Sequence, residues 1–110
     1  MATTPKVLGQ NSIAVINTLY DVYTVPGATN TTVSTITACN RGATTETFRL
    51  SVAVAGAADD NKQYIAFDVS IPANDIFAAT IGITLAATDV IRCYASSTNI
   101  SVNIFGIEES

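Results

Sequence analysis

The sequence predicts an all-β protein, a single-domain antiparallel β-sandwich or jelly roll of about eight short strands. Val, Ile and Thr make up 38 of the 110 residues, and their β-branched side chains fit a pleated sheet better than a helix. Apolar and polar residues alternate in short segments, and turn-forming residues separate these segments. A chain of 110 residues is long enough for one hydrophobic core and too short for two.

The chain is predicted to begin with an N-terminal arm, residues 1–10, followed by a β-sandwich domain over residues 11–110. The arm has few helix-forming residues and no partner strand nearby in the sequence, so we expect it to become ordered only on a surface. Deletion of residues 1–10 is then expected to leave folding intact. A frayed terminus without function is the alternative. The candidate partner-binding residues of the arm are Thr3, Thr4, Pro5, Val7 and Leu8.

Three strands are predicted in the first part of the domain. Residues 12–17 form a short strand, and residues 19–25 form a cleanly alternating one that Pro26-Gly27 ends with a turn. A Thr-rich strand over residues 31–39 follows, and it ends at Asn40-Arg41-Gly42.

The clearest two-residue period lies in residues 45–55, where apolar and polar side chains alternate along the segment. Residues 63–71 alternate as well, and this pattern points Ile65 and Phe67 toward the core. The polar loop 56–61 joins the two segments, so we predict an antiparallel hairpin.

The last part of the chain is predicted to hold a strand over residues 76–83, broken by Gly82. Two further strands, over residues 90–95 and 99–107, are predicted to form a pair. A short Ser/Thr turn joins these two strands.

Four aspartates are candidates for chemistry. Asp75 and Asp89 each precede a predicted strand, where an aspartate commonly caps a turn by accepting backbone N–H bonds, and we favour that role over catalysis. Asp59 and Asp60 are adjacent in a loop, where we expect solvated side chains rather than paired catalytic acids or calcium ligands.

Charge and missing residue types exclude several classes of function. Five basic residues face nine acidic ones, giving a net charge of −4. Because the chain contains no basic run, we expect neither nucleic acid nor a membrane as a partner. The chain also lacks His, the commonest general base and neutral metal ligand, and it has no nucleophile-elbow or phosphate-loop motif. We therefore predict that the protein is not an enzyme and has no catalytic residues, cofactor or metal site.

The cysteines and aromatic residues are assigned structural roles. Cys39 and Cys93 could form a disulfide, but we favour buried free thiols. The Phe side chains are expected in the core and the Tyr side chains at sheet margins or a subunit interface. A carbohydrate-binding module would instead need exposed Tyr or Trp on one face. Strand faces rich in Thr and poor in charge favour a component of an assembly, because such faces pack against another chain with few desolvated charges.

Five stretches resemble a family of small proteins encoded among the structural genes of tailed bacteriophages. The most specific parts are three turns: Tyr-Thr-Val-Pro-Gly, Ile-Pro-Ala-Asn-Asp and Gly-Ile-Thr-Leu followed by Asp-Val-Ile. One turn departs from the family pattern, since Thr88 precedes Asp89 where the family has Gly. The stretches are residues 19–40, 47–56, 64–77, 82–96 and 100–108.

The resemblance implies a phage virion structural protein, most specifically a capsid cement (decoration) protein that binds and stabilises the shell of major capsid protein. It implies a homo-oligomer, with a trimer as the state that shell symmetry suggests, and a place on the capsid surface after synthesis in the bacterial cytoplasm. A tail, neck or fibre component of the virion is the alternative. A carbohydrate- or receptor-binding module is a further alternative.

Overall fold

The computed structural model describes residues 2–110, and within them nine strands form two antiparallel sheets. Sheet 1 has the order β1-β9-β3-β6, with β7 also paired to β3, and sheet 2 has the order β2-β8-β4-β5. The predicted all-β sandwich is confirmed. The strands are β1 (Thr3–Ser12), β2 (Tyr20–Thr24), β3 (Asn30–Asn40), β4 (Glu46–Ala53), β5 (Tyr64–Ile71), β6 (Ile76–Ala79), β7 (Ile83–Leu85), β8 (Val90–Ala95) and β9 (Ile100–Glu109).

The hydrophobic core lies between the two sheets and takes alternate side chains from each. Ile36 and Ile104 come from sheet 1, Phe48 and Ile91 come from sheet 2, and all four are fully buried. The Phe48 ring also packs on Phe77 of β6, with 5.8 Å between the ring centroids. Burial of such side chains is the main favourable term in folding. Residues 2–110 contain no helix that could span a lipid bilayer.

The predicted hairpin is confirmed, since β4 and β5 pair antiparallel, but two other expectations about strands are wrong. Residues 13–19 form no strand, because this segment carries the chain from sheet 1 to sheet 2. The strands β8 and β9 are not paired with each other, since β8 belongs to sheet 2 and β9 to sheet 1. The alternation of apolar and polar residues indicates that a segment is a half-buried strand, but it does not indicate which sheet the strand joins.

The structure also reverses the predicted orientation of Ile65 and Phe67. In the β4–β5 ladder Phe48 faces Val69 and Leu50 faces Ala66, so Arg49 alone opposes two residues of β5. The extra residue is a β-bulge at Asp68, which has a φ of +52°. Because a bulge shifts the alternation by one residue, Ile65 and Phe67 are 44% and 55% exposed.

The expectation of a free N-terminal arm is corrected by the structure. The strand β1 pairs antiparallel with β9 along its whole length, and Ala2 and Ser110 exchange two backbone hydrogen bonds of 2.8 and 2.9 Å. The proposed boundary between residues 10 and 11 therefore falls inside β1. Deletion of residues 1–10 would leave the backbone groups of β9 unpaired, so it would disturb folding as well as any binding. The partner strand is about 100 positions away in the chain, where no local pattern could show it.

The turn before β8 confirms the capping role predicted for Asp89. Its carboxylate accepts hydrogen bonds from the backbone N–H groups of Ala86 and Ala55, each at 2.9 Å. Its neighbour Thr88 has a φ of +71°. A β-branched residue in this left-handed region is strained, because its side chain crowds the backbone.

Replacing Thr88 by Gly is expected to raise the free energy of unfolding by about 1 kcal/mol, because Gly adopts a positive φ without that strain. Urea denaturation of the two proteins measures the difference. The matched control is Thr84→Gly in the exposed part of β7, where the loss of a β-branched residue should lower stability. A Thr88→Gly variant no more stable than the parent would show that the turn is not strained.

Both cysteines are free thiols, as we favoured. Cys93 lies in β8 and is fully buried, and burial raises the pKa of its thiol well above the usual range. Cys39 lies in β3 of the other sheet and is half-buried. A buried thiol with a raised pKa is a poor nucleophile and behaves as a small apolar side chain.

Candidate interaction surfaces

The outward side of sheet 1 forms a broad surface across five strands. Residues directly opposite each other in an antiparallel pair lie on the same face of the sheet, so the strand registers define its members. We call it the sheet 1 outer face. It consists of Thr3, Pro5, Val7, Gln10 and Ser12 of β1, Ser101, Asn103, Phe105, Ile107 and Glu109 of β9, Asn30, Thr32, Thr35, Thr37 and Cys39 of β3, Ile76 and Ala78 of β6, and Thr84 of β7.

Charge is confined to the two ends of the sheet 1 outer face. Glu109 is the one charged member of the face as defined. At the opposite end the guanidinium of Arg41 donates to the hydroxyl groups of Ser101 and Ser12, at 2.8 and 3.2 Å. Between them lie threonines, small polar residues and apolar side chains that include Ile76, which is 57% exposed. The face can therefore be covered by a partner without burying an unpaired charge.

The candidate arm residues are divided by the structure. Thr3, Pro5 and Val7 lie on the sheet 1 outer face. Thr4 is on the other side of β1, since neighbouring residues of a strand point to opposite faces. Leu8 sits at a bulge and is buried in the core.

Two members of the sheet 1 outer face, Phe105 and Ile107, were missed by sequence reasoning. The signal was present in β9, where the alternate residues Ile100, Val102 and Ile104 are all fully buried. An apolar residue that falls on the polar side of such an alternation indicates an apolar patch on the outer face, and here both side chains are half-buried.

A hydrogen-bond network at the edge of the sandwich holds β1 in place. The ammonium group of Lys6 lies 3.1 Å from one carboxylate oxygen of Glu108, and the Tyr23 hydroxyl donates to the other oxygen at 2.6 Å. The same hydroxyl is 2.8 Å from Thr31 Oγ1. Burial raises the pKa of Tyr23 to about 12, with a further contribution from its bond to Glu108. The hydrogen bond from Tyr23, followed by Lys6, lowers the pKa of Glu108.

Because the pKa of Glu108 is lowered in the folded protein, the free energy of unfolding decreases at acid pH. A carboxyl group with a depressed pKa in the folded state contributes stability above its unfolded pKa of about 4.3, and this contribution is lost as the pH falls through the folded value. We expect Glu108→Gln to be less stable than the parent at pH 7 and to lose less stability between about pH 5 and 3. Urea denaturation across this pH range measures the slopes, with Glu109→Gln as the control. Equal slopes for Glu108→Gln and the parent would contradict the prediction.

The outward side of sheet 2 carries a second distinctive group, which we call the aromatic cluster: Arg49, Tyr64, Phe67 and Tyr94. The Arg49 guanidinium lies between two rings, 4.0 Å from the Phe67 centroid and 4.2 Å from the Tyr94 centroid. It also binds both carboxylate oxygens of Asp68, at 2.6 and 3.2 Å. This ion pair lowers the pKa of Asp68 and raises that of Arg49. Tyr64 contacts Phe67 edge-on, with 5.1 Å between the ring centroids.

The expectation that every Phe belongs to the core is thus wrong for Phe67 and for Phe105 on the sheet 1 outer face, although it holds for Phe48. The bulge at Asp68 turns Phe67 outward, and no sequence pattern marks that bulge.

Two further aspartates, Asp60 and Asp75, serve backbone turns. Asp75 accepts a hydrogen bond from the backbone N–H of Ile76 at 2.7 Å, as predicted for a cap. Asp60 is exposed and caps the short 3₁₀ turn Asn61–Gln63. Among residues 2–110 no three Cys, Asp or Glu side chains come together in a group that could hold a metal ion.

These features define a class: a small β-sandwich with one nearly uncharged outer face. No known protein family model matches the chain, and no curated protein matches it. Two solved structures of a pentameric capsid protein isolated from metagenomic phage sequences are similar at 15% and 14% identity, with TM-scores of 0.32 and 0.30. The alignments cover 96% of this chain and 62% and 64% of those chains. The chain thus spans less than two thirds of the length of these phage capsid proteins.

Proposed function

We propose that this chain is a structural protein of a bacteriophage virion, and specifically a capsid cement protein that binds the shell of major capsid protein. The observation that carries the proposal is the sheet 1 outer face, which is uncharged between Arg41 and Glu109. The resemblance of five stretches to small proteins of tailed phages supports the same role.

The composition of this face suits a permanent contact. A charge removed from water without a partner costs several kcal/mol, whereas Thr and apolar side chains are covered at small cost. The face has eighteen members, close to the roughly 20–30 residues that each partner contributes to a standard interface. Pro5, Val7, Phe105 and Ile107 form its apolar end, because Pro5 pairs with Ile107 and Val7 with Phe105.

A cement protein gains from several simultaneous contacts. A homo-oligomer that touches neighbouring capsid subunits raises the effective concentration at each further contact, so weak individual contacts add up to a stable attachment. A trimer at threefold positions of the shell is the arrangement we propose. Thr3, Pro5 and Val7 keep the partner-binding role predicted for the N-terminal segment, now as part of an edge strand.

Immunogold electron microscopy of particles from a phage that encodes the chain tests the proposal, with antibody raised to the purified protein. Dense label over the heads, at hundreds of copies per particle, is the expected result. Label confined to the tail or neck would overturn the cement role and support a tail, neck or fibre component. Absence of label from all particles would overturn the virion role itself.

A further inference from the structure

We propose that the aromatic cluster on sheet 2 is a binding site for a neutral saccharide. Beside the cluster is a shallow cavity of about 330 Å³, lined by Asn61, Tyr64 and Phe67. The two rings meet at 88°, so they form an apolar corner rather than a flat patch. One face of a sugar ring presents C–H groups that pack on an aromatic ring, while its hydroxyl groups point outward to polar neighbours.

The position of Phe67 has no role in packing the core. Its ring is 55% exposed although it belongs to a strand whose other side is buried. The bulge at Asp68 is what turns it outward, and Asp68 adopts a left-handed conformation to make the bulge. Strained backbone that exposes a large apolar side chain is typical of a binding site, where the exposed group is used.

The polar groups around the corner favour a neutral ligand with many hydroxyl groups. The charge of Arg49 is matched by Asp68 in a two-bond ion pair, and the Asp59 carboxylate lies close enough to Tyr64 to raise the pKa of its hydroxyl group. The cluster therefore has no unpaired cation that would select an anionic ligand. The Asn61 amide lines the cavity and offers both an acceptor and donors for hydroxyl groups. The guanidinium is held between two rings and by Asp68, so little conformational entropy is lost when a ligand binds.

The cluster and the sheet 1 outer face lie on opposite sides of the sandwich. Saccharide binding as such does not depend on the proposed function. If the protein seats on a capsid through sheet 1, however, the aromatic cluster points away from the shell and stays open to solvent.

A glycan array of neutral hexose and N-acetylhexosamine oligosaccharides, probed with the intact chain, is the first test. The glycans that bind are then titrated by calorimetry against the parent, Phe67→Ala and Tyr64→Ala. Ile76→Ala is the matched control, since Ile76 is equally exposed but lies on sheet 1. We expect affinity to fall ~10-fold or more in the Phe67 and Tyr64 variants and to be unchanged in the control.

Each variant is also tested for binding to particles, so that the two proposals fail separately. Retention of particle binding by Phe67→Ala together with loss of saccharide binding supports the site. An array without bound glycans overturns the saccharide proposal and leaves the capsid role untouched. Loss of particle binding in Phe67→Ala would also overturn the saccharide proposal, because the aromatic cluster would then contact a protein of the particle.

Discussion

Replacing Asn40 by Asp is expected to destabilise the protein at neutral pH and much less at acid pH. Asn40 is fully buried, and its side-chain nitrogen donates to the carbonyl oxygens of Thr44, Ile71 and Pro72 at 2.8, 3.0 and 3.3 Å. Its side-chain oxygen accepts from the Gly42 N–H at 2.9 Å. An ionised Asp of the same shape would turn a carboxylate oxygen toward three carbonyl oxygens, so the site would lose its donors and bury a charge.

The expected loss at pH 7 is at least about 3 kcal/mol, a large part of the 5–15 kcal/mol typical of a domain. Repulsion and burial raise the folded-state pKa of the new carboxyl group above its unfolded value of about 3.9. Stability is therefore greatest below that value and is lost as the pH rises through the folded pKa.

Urea denaturation of Asn40→Asp at pH 4 and pH 7 measures both the size and the sign of the effect. Asn74→Asp in an exposed turn is the matched control, because it makes the same chemical change in water. A variant that loses the same stability at both pH values would show that the lost donor matters and the buried charge does not.

If the proposed capsid contact through sheet 1 is correct, Thr37→Glu is expected to weaken binding to capsids ~100-fold. Thr37 lies on β3 in the interior of the sheet 1 outer face, opposite Asn103 on one side and Ala78 on the other. If this face is covered by the shell, the new carboxylate is buried without a partner, which costs about 3 kcal/mol and corresponds to that loss of affinity. Quantitative labelling of particles incubated with parent and variant protein measures the change.

Thr24→Glu is the control, since Thr24 is exposed on β2 of the other sheet. Both variants should melt within a few degrees of the parent, because surface substitutions change stability by roughly 0.5 kcal/mol or less. Equal particle binding by Thr37→Glu and the parent would exclude sheet 1 as the contact surface.

Much of the fold was predictable because its signals are local. The alternation in residues 45–55 and 90–95 depends on one face being buried, and both segments form strands at nearly those positions. Sheet membership was not predictable, because β8 and β9 are close in the chain but belong to different sheets. The role of β1 was missed for the same reason, since its partner β9 lies at the other end of the chain.

Of the two candidate surfaces, one could be predicted from the sequence and the other could not. A Thr-rich, uncharged strand was visible in β3, where Thr35 and Thr37 follow the two-residue period. Thr32 shares their face only because the register shifts between Val33 and Thr35, which the sequence did not show. The aromatic cluster was not visible, because a bulge at Asp68 reverses the side on which Phe67 appears. A positive φ at a non-glycine residue leaves no mark in a two-residue pattern.

The edge strands of both sheets determine whether neighbouring copies of the chain can pair strand to strand. On β1, Pro5 lacks an N–H, Lys6 is charged and Leu8 sits at a bulge, and all three features discourage a further strand from pairing there. The bulged β5 blocks the far edge of sheet 2 in the same way, and β2 and β6 are only five and four residues long. Copies concentrated side by side therefore have no long, flat edge through which to join into fibrils. Edge features of this kind disfavour amyloid-like polymerisation when many copies of the chain are packed closely together.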